Sequence, residues 1–363
     1  MLGTSLKLLK KIESAGFNAY IVGGFVRDRL LGLESVDVDI TTNATPKDIR
    51  DIFPHGLLPS EAYGSVTLIV KNIHFEITTY RKESGYVLHR KPTVIEYIDN
   101  LMDDLKRRDF TINTICMDSD GNIIDLLGAK HDLELREIDT LVDADLSFED
   151  DALRMLRAIR FATKLNFNLK KKVQDAIIKN KELLRELSYN RKRQELDKIF
   201  ASNNSKYGIK LITELGLDKE LELYNLSDIR LNTDLIGIWA SLDMSPNYPF
   251  TNNEKELIRS IKEIVSSGII DNKTLYKYGL YICSVASDLL NIDRTVVTMQ
   301  YDSIPIITRK DIVIKSSDII NIVNKPAGGY IKDIYIDIEG RILTGYLNND
   351  IDALKTYVKD KYG

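Results

Sequence analysis

The spacing of apolar residues changes once along this chain of 363 residues. From Tyr20 to about Leu127, short apolar runs such as "AYIVGG", "GSVTLIV" and "DFTINTICMD" alternate with turns, which is typical of β-strands. Beyond about Ser147, runs such as "EDDALRMLRAIRFATKL" have helical spacing and are separated by polar caps. We therefore predict an α+β N-terminal part followed by a mostly α-helical part.

Length and composition restrict the class of protein. The chain is long enough for two to four compact modules. A net charge of -4 excludes a uniformly basic nucleic-acid binder, so such a partner would need a local basic patch. The two cysteines, Cys116 and Cys283, exclude a disulfide framework and indicate a reducing, cytoplasmic location. No run of 18 apolar residues occurs, so we expect no membrane-spanning segment.

The stretch "IVGGFVRDRLLG" predicts a strand that turns tightly into a helix. Gly23 and Gly24 lie at the turn, where unpaired backbone N–H groups are able to hold phosphate oxygens. Arg27, in the first helical turn, would add a charge-assisted contact to the same phosphates. A Gly-Gly pair alone also fits an ordinary strand-to-helix turn, so the phosphate site depends on the residues that follow.

Two carboxylates follow in "VDVDI". Asp37 and Asp39 are two residues apart, so a strand places both on one face, where they repel unless a cation binds. Coordination of Mg²⁺ shared with substrate phosphates is the arrangement of phosphoryl and nucleotidyl transfer. Glu76 in "HFEITTY" is the candidate third carboxylate, and a water-facing edge residue is the alternative interpretation.

Five motifs occur in one order: "GGFVRDRLLG" with "DVDITT", "DDLKRRDFTIN", "GNIIDLLGAKHDL", "DDALRMLRAIRFA" and "NRKRQELDKI". With them the chain resembles the class II tRNA nucleotidyltransferases, the CCA-adding enzymes of bacteria and eukaryotes within the polymerase-β-like superfamily. The resemblance extends from the N-terminus to about Ile199. It implies a catalytic head on a five-stranded mixed sheet, followed by helical neck, body and tail in an elongated, seahorse-like shape.

The resemblance also implies domain boundaries and site residues. The head would be residues 1–146, the base-recognising neck 147–200, the helical body 201–303 and a tRNA-binding tail 304–363. Asp37 and Asp39 would hold Mg²⁺, and Gly24, Arg27 and Arg108 would hold the triphosphate. The family uses Arg157 and Arg160 close to the nucleotide.

Base choice has a physical interpretation on the predicted neck helix. Asp151 and Arg154 are three apart in "DDALRMLR", so their side chains would meet on one helical surface. Cytosine and adenine both present an amino donor beside a ring-nitrogen acceptor, and uracil and guanine present the reverse order. An aspartate acceptor beside an arginine donor therefore suits C and A. The alternative interpretation is that Asp151 and Arg154 form an ordinary intrahelical salt bridge.

The segment Arg81 to Ile98 matches a loop that in the family accompanies addition of the final A. The full length of this segment favours an enzyme that adds CCA or A over one that adds only the two C residues. Four residues depart from the family pattern: Leu88 stands where relatives often have an acid, Asp150 and Ala152 stand where the family commonly has glutamate and proline around Asp151, and Asn190 stands where the fifth motif usually has glutamate.

Taken together, these features predict a Mg²⁺-dependent enzyme that uses CTP and ATP to add CCA to the 3′ end of tRNA and releases pyrophosphate. No membrane and no obligatory protein partner are implied. Three alternatives stay open from the sequence: an A-adding tRNA nucleotidyltransferase, a poly(A) polymerase of the same superfamily, and a catalytically inactive RNA-binding relative.

Overall fold

The computed structural model describes residues 1–35, 37–55, 64–87, 91–231 and 234–363. The chain forms two compact units. The first unit comprises Met1–Ser227 and Met244–Pro249, and the second comprises Asp228–Asp243 and Phe250–Gly363. The four-part division into head, neck, body and tail stays a prediction.

The first unit contains all the strands of the described residues. They are β1 (Ala19–Val22), β2 (Val38–Thr42), β3 (Ser65–Val70), β4 (Ile73–Thr79), β5 (Arg81–Val87), β6 (Lys91–Tyr97), β7 (Cys116–Met117), β8 (Ile123–Ile124), β9 (Glu137–Ile138) and β10 (Asn168–Leu169). Its helices are α1 (Leu2–Ser14), α2 (Gly24–Leu30), α3 (Pro46–Ile52), α4 (Leu101–Lys106), α5 (Ala129–Leu135), α6 (Ala144–Asp150), α7 (Leu153–Leu165), α8 (Lys171–Asn180), α9 (Tyr189–Phe200) and α10 (Ser205–Glu214).

The main sheet has the strand order β3-β4-β2-β1-β7-β8. β2 and β4 are parallel and the other neighbours are antiparallel, so the prediction of a mixed sheet in an α+β unit is confirmed. The implied number of five strands is wrong, because the described residues form six. The sixth strand, β8, exists because a tight turn between Asp118 and Asn122 returns the chain along β7, with Asp118 N donating to Asn122 O at 3.0 Å.

Alternation along the central strands separates a buried face from an acidic one. In β2, Val38 and Ile40 are 1% exposed, whereas Asp39 between them is exposed. In β4, Phe75 and Ile77 are buried in the same way around exposed Glu76. Burial of the β-branched and aromatic face therefore holds the carboxylates on the opposite face.

The predicted strand through "DFTIN" is wrong over most of its length. Thr111–Asn113 forms a 3-10 turn, and only Cys116–Met117 pairs as β7. The side chains explain the turn, since Thr111 Oγ1 donates to Asp132 at 2.7 Å and Asn113 Nδ2 donates to Asp109 at 2.9 Å. These bonds hold the backbone away from a strand conformation.

The predicted continuous helix through "EDDALRMLR" is also wrong. α6 ends at Asp150, Asp151 has an extended backbone with φ of -140°, and α7 begins at Leu153. Asp151 Oδ1 accepts from Leu153 N at 3.0 Å and so caps the start of α7. Asp151 and Arg154 therefore do not share one helix, although Leu156 and Ile159 of α7 are fully buried.

The predicted surface loop between Arg81 and Ile98 is largely a hairpin. β5 and β6 pair antiparallel as a two-stranded sheet, with Arg81 opposite Tyr97. Leu88, whose identity departs from the family pattern, lies outside the described residues.

The second unit is mostly helical, as predicted, and its described residues form no strand. Its helices are α11 (Leu235–Ser241), α12 (Asn252–Ser267), α13 (Asn272–Leu290), α14 (Arg294–Asp302), α15 (Ser316–Val323), α16 (Tyr330–Leu343) and α17 (Ile351–Tyr362). α13 packs against α12 and α14, and α15 packs against α17, around buried residues such as Ile261, Val285 and Leu354. Within the described part of the chain, every helix is too short or too polar to cross a membrane.

Candidate active site

One open cavity of about 720 Å³ in the first unit brings most of the predicted site residues together. Its walls come from the turn between β1 and α2, the start of β2, the segment 107–113, and helices α7 and α9. The predicted residues that line it are Gly23, Gly24, Arg27, Asp37, Asp39, Arg108, Asp151, Arg154, Arg157 and Arg160. Glu76 lies beside the cavity and does not line it. The roles of these residues stay predictions.

The turn between β1 and α2 requires glycine at its first position. Gly23 precedes the helix with φ of 79°, a conformation that residues with a Cβ rarely adopt. A Cβ there would lie 3.4 Å from Oδ2 of Asp39 and 3.7 Å from Nη1 of Arg108. Any side chain at Gly23 would therefore strain the backbone, and its Cβ would lie in contact with a carboxylate and an arginine of the cavity.

Three carboxylates lie on one face of the sheet. Asp37 and Asp39 are both exposed to solvent, and the parallel register of β2 and β4 places Glu76 opposite Asp39. Although Asp39 faces the open cavity, the protein atoms around it remove water and raise its pKa to about 6. Glu76 and Asp37 add to this rise through repulsion, while Arg108 opposes it.

Asp37 and Asp39 have the chemistry of a divalent-cation site. Among the described residues neither carboxylate forms an ion pair, so Arg108 offsets their repulsion only from a distance. In the same part of the chain no three His, Cys, Asp or Glu side chains converge closely enough to hold a metal on their own. Two carboxylates with substrate phosphates and water suffice for Mg²⁺, so the donor set fits this ion.

Arg108 extends into the cavity from a buried carboxylate network. Asp104 is fully buried and accepts from Arg107 Nη2 at 2.8 Å, Arg108 Nη2 at 3.4 Å and Thr41 Oγ1 at 2.9 Å. Burial alone would raise the pKa of Asp104, but the two guanidinium groups hold it below its usual value. Arg108 Nε has no hydrogen-bond partner among the described residues, so Arg108 retains capacity to bind an anion.

Arg27 lies in the cavity wall and is more firmly anchored than the sequence indicated. Its side chain is 2% exposed. Its Nε and Nη2 donate to Oδ1 of Asp28 at 2.8 and 2.5 Å, and its Nη1 donates to Oδ1 of Asn113 at 2.6 Å. Asp28 also accepts from Lys164 at 2.9 Å, which joins α2 to α7.

The two residues predicted to read the base, Asp151 and Arg154, both face the cavity. Arg154 is 9% exposed, and its Nη1 and Nη2 donate to Ser147 Oγ at 2.9 Å and to the carbonyl oxygen of Arg107 at 3.0 Å. Arg160, which was predicted to lie close to the nucleotide and not to read the base, donates to Glu195 at 2.6 Å across the α7–α9 contact. Both guanidinium groups are therefore held in place by the protein.

Several polar or aromatic residues of the site were not singled out from the sequence, and four of them contact its predicted arginines. These four are Asp28, Asn113, Phe161 and Glu195, each of which contacts an arginine of the cavity. All four lie within the five motifs. Motif matching therefore contained the signal, but their contacts join residues that are distant in sequence.

Three known families match separate parts of the chain. Residues 19–139 match the "Poly A polymerase head domain", and residues 166–222 match the "Probable RNA and SrmB- binding site of polymerase A". Residues 246–358 match the putative "tRNA nucleotidyltransferase domain 2". The matched head domain contains the main sheet and the cavity carboxylates Asp37 and Asp39.

Known relatives match nearly the whole chain. The CCA-adding enzyme of Lactobacillus johnsonii is 34% identical over 98% of this chain and 96% of its own length, and that of a Geobacillus species is 33% identical over the same shares. The crystal structure of the Bacillus stearothermophilus CCA-adding enzyme in complex with CTP superposes with a TM-score of 0.86, at 27% identity, over 98% of this chain and 96% of that chain. This chain therefore belongs to the CCA-adding enzymes, the tRNA nucleotidyltransferases that carry a poly(A) polymerase head domain.

Proposed function

We propose that this chain uses CTP and ATP to add C, C and A in turn to the 3′ end of tRNA, with Mg²⁺ as its metal ion. The observation that carries the proposal is that Asp37 and Asp39 face the same cavity as Arg108 and the pair Asp151 and Arg154. One site then holds metal ligands, phosphate-binding groups and base-reading groups, so no nucleic-acid template is needed to select the base.

The charge of the cavity suits a nucleoside triphosphate. Its described lining carries ten Arg and Lys side chains and seven Asp and Glu side chains. Arg108, with its unpartnered Nε, and the backbone at Gly23 and Gly24 would bind the triphosphate. Arg27 would support them from the wall.

Asp37 and Asp39 would hold Mg²⁺ together with phosphate oxygens of the substrate. When bound, the metal supplies activation of the terminal 3′-hydroxyl and stabilisation of charge at the α-phosphate. The 3′ oxygen forms a bond to the α-phosphorus, and the bond from that phosphorus to the oxygen bridging to the β-phosphate breaks. Pyrophosphate leaves with the electron pair. Glu76, opposite Asp39 in the register, is the candidate acceptor for the hydroxyl proton.

Base selection would depend on a rigid donor and acceptor. Arg154 is fixed by Ser147 and by the carbonyl oxygen of Arg107, so little side-chain entropy remains to be lost on binding. Asp151 would accept from the amino group of cytosine or adenine, and Arg154 would donate to the adjacent ring nitrogen. Uracil and guanine would instead place a carbonyl acceptor against Asp151 and a ring N–H donor against Arg154. Arg157 and Arg160 would lie beside the nucleotide.

The roles of the regions along the chain and its cellular location are also proposals. The head (1–146) would carry catalysis, the neck (147–200) base recognition and the tail (304–363) tRNA binding. A cytoplasmic location is supported by Cys116 and Cys283, which are buried free thiols.

The test is nucleotide incorporation by the purified chain with Mg²⁺ on three tRNA transcripts, lacking CCA, lacking CA and lacking only A. Each transcript is offered each of the four nucleoside triphosphates separately and then CTP with ATP. Addition of C, C and A in order, lost in Asp37→Ala, is the expected result. Extension of the last transcript alone, by one A, would identify an A-adding enzyme instead. Long A tracts would identify a poly(A) polymerase, and no incorporation on any transcript would indicate an inactive RNA-binding relative.

A further inference from the structure

Phe161, on α7, lies in the cavity wall with three guanidinium groups around its ring. The Cζ atoms of Arg160, Arg27 and Arg157 lie 4.1, 5.1 and 5.6 Å from the ring centroid. All three distances fall within the limit of about 6 Å at which the face of an aromatic ring attracts a cation. The ring is therefore the common neighbour of three arginines of the nucleotide cavity.

Each of these guanidinium groups also has its own carboxylate. The partners are Asp28 for Arg27, Asp109 for Arg157 and Glu195 for Arg160. These carboxylates come from three separate segments and fix each arginine individually. Phe161 lies within cation–ring distance of all three arginines and so connects them to one another.

An aromatic ring at this position attracts the surrounding cations, which an aliphatic side chain does not. Three positive charges around one point repel one another, and the repulsion grows as water is excluded. The negative faces of the ring attract each of the cations, whereas a leucine would only fill the space. Phe161 is itself fixed, since it is 6% exposed and packs edge-on against Phe110 with the centroids 5.7 Å apart.

We propose that Phe161 is a positioning residue for nucleotide binding, whose ring holds Arg27, Arg157 and Arg160 together in the wall that receives the anionic substrate. The inference rests on the proposed function, because it assigns CTP and ATP to this cavity. Phe161 touches the arginines and acts on the nucleotide through them.

The test replaces Phe161 with phenylalanine carrying one, two or three ring fluorines. Fluorination withdraws electron density from the ring face stepwise and changes the shape of the side chain very little. KM for CTP and ATP is expected to rise with each fluorine, reaching about tenfold for three, which corresponds to about 1.4 kcal/mol. We expect kcat and the melting temperature to stay close to those of the unmodified protein. Phe161→Leu, which removes the ring, should raise KM at least as much.

The matched control is the same fluorination at Phe148 on α6. Phe148 is fully buried and has no cation over its ring among the described residues. Fluorines at Phe148 should leave KM unchanged. A KM that stays flat across the Phe161 series, or that rises equally at both positions, would overturn the proposal, because the ring would then act only by packing.

A second readout separates this proposal from the proposed function. Dissociation constants for CTP and ATP are measured by equilibrium titration without tRNA. If the unmodified chain incorporates no nucleotide, the proposed function fails, and the binding series still decides about Phe161. Stepwise weakening of CTP binding would support the positioning role, and equal binding across the series would refute it.

Discussion

Arg157 and Asp109 lie 48 residues apart in sequence and form a two-point ion pair, in which Nε and Nη2 of Arg157 donate to Oδ2 of Asp109 at 2.8 and 2.5 Å. The other oxygen, Oδ1, accepts from Phe110 N and from Asn113 Nδ2, both at 2.9 Å. Asp109 directly follows Arg108, so this carboxylate joins helix α7 to the segment that we propose binds the triphosphate.

Asp109→Asn should destabilise the protein by about 2 kcal/mol. Breaking a buried ion pair by removing one partner typically costs roughly 3–5 kcal/mol. The side chain of Arg157 is 34% exposed, so water can hydrate the guanidinium group once its partner is lost, and this lowers the cost. The free energy of unfolding from urea titration, followed by circular dichroism, measures this loss. The matched control is Asp175→Asn, which removes the exposed pair of Asp175 with Lys171. That change should cost at most about 0.5 kcal/mol, and equal losses for the two variants would contradict the prediction.

The stabilising effect of Asp109 should depend on pH in a definite direction. Burial alone would raise the pKa of Asp109, but Arg157 and the hydrogen bond from Asn113 hold it well below its usual value. A carboxylate with a lowered native pKa adds stability above its unfolded pKa of about 3.9 and loses it as pH falls towards the native pKa. The difference in unfolding free energy between the native sequence and Asp109→Asn should therefore be constant at pH 5–7 and shrink below about pH 4. Urea midpoints over this range test it, and a difference that grows on acidification would refute it.

Asp39→Asn should abolish catalysis while leaving the fold intact. Asparagine keeps the shape of the side chain but removes the charge that a divalent cation requires. Because metal assistance is worth several kcal/mol, kcat should fall about a thousandfold or more. Because Asp39 is exposed and forms no ion pair among the described residues, its loss should not lower the melting temperature. Single-turnover incorporation and a thermal melt of the same sample measure the two effects.

Metal removal gives an independent check of the same site. Chelation by EDTA should abolish incorporation by the unmodified chain, and added Mg²⁺ should restore it. The melting temperature should change little, because the fold of the first unit does not depend on Asp37 and Asp39, which form no ion pair among the described residues. A large drop in melting temperature with EDTA would indicate a structural metal instead.

Asp151→Asn should loosen base choice more than it lowers the rate with CTP. The amide of asparagine presents a donor as well as an acceptor, so it no longer opposes the reversed edge of uracil. We expect the ratio of kcat/KM for CTP over UTP to fall at least about tenfold, since a mismatched buried hydrogen bond costs roughly 1–3 kcal/mol. Asp150→Asn, at the exposed adjacent position, is the control and should keep the native ratio. Unchanged discrimination in both variants would remove Asp151 from base reading.

Some features of this protein follow from local sequence alone. Strand alternation places Asp37 and Asp39 on one face, and the structure has this arrangement because Val38 between them is buried. The turn at Gly23 needs only the positive φ that glycine permits. Motif order then indicated the family, and the comparisons confirm it.

Tertiary structure decided the rest, because those contacts join residues that no local pattern relates. The packing of α7 against the head unites Phe161 with Arg27, and Arg157 with Asp109. The break at Asp151 was missed because helical periodicity continues across it, while a single hydrogen bond from Leu153 N to the Asp151 side chain starts a new helix. Local periodicity thus determined which faces carry charge, and long-range packing determined which charges meet.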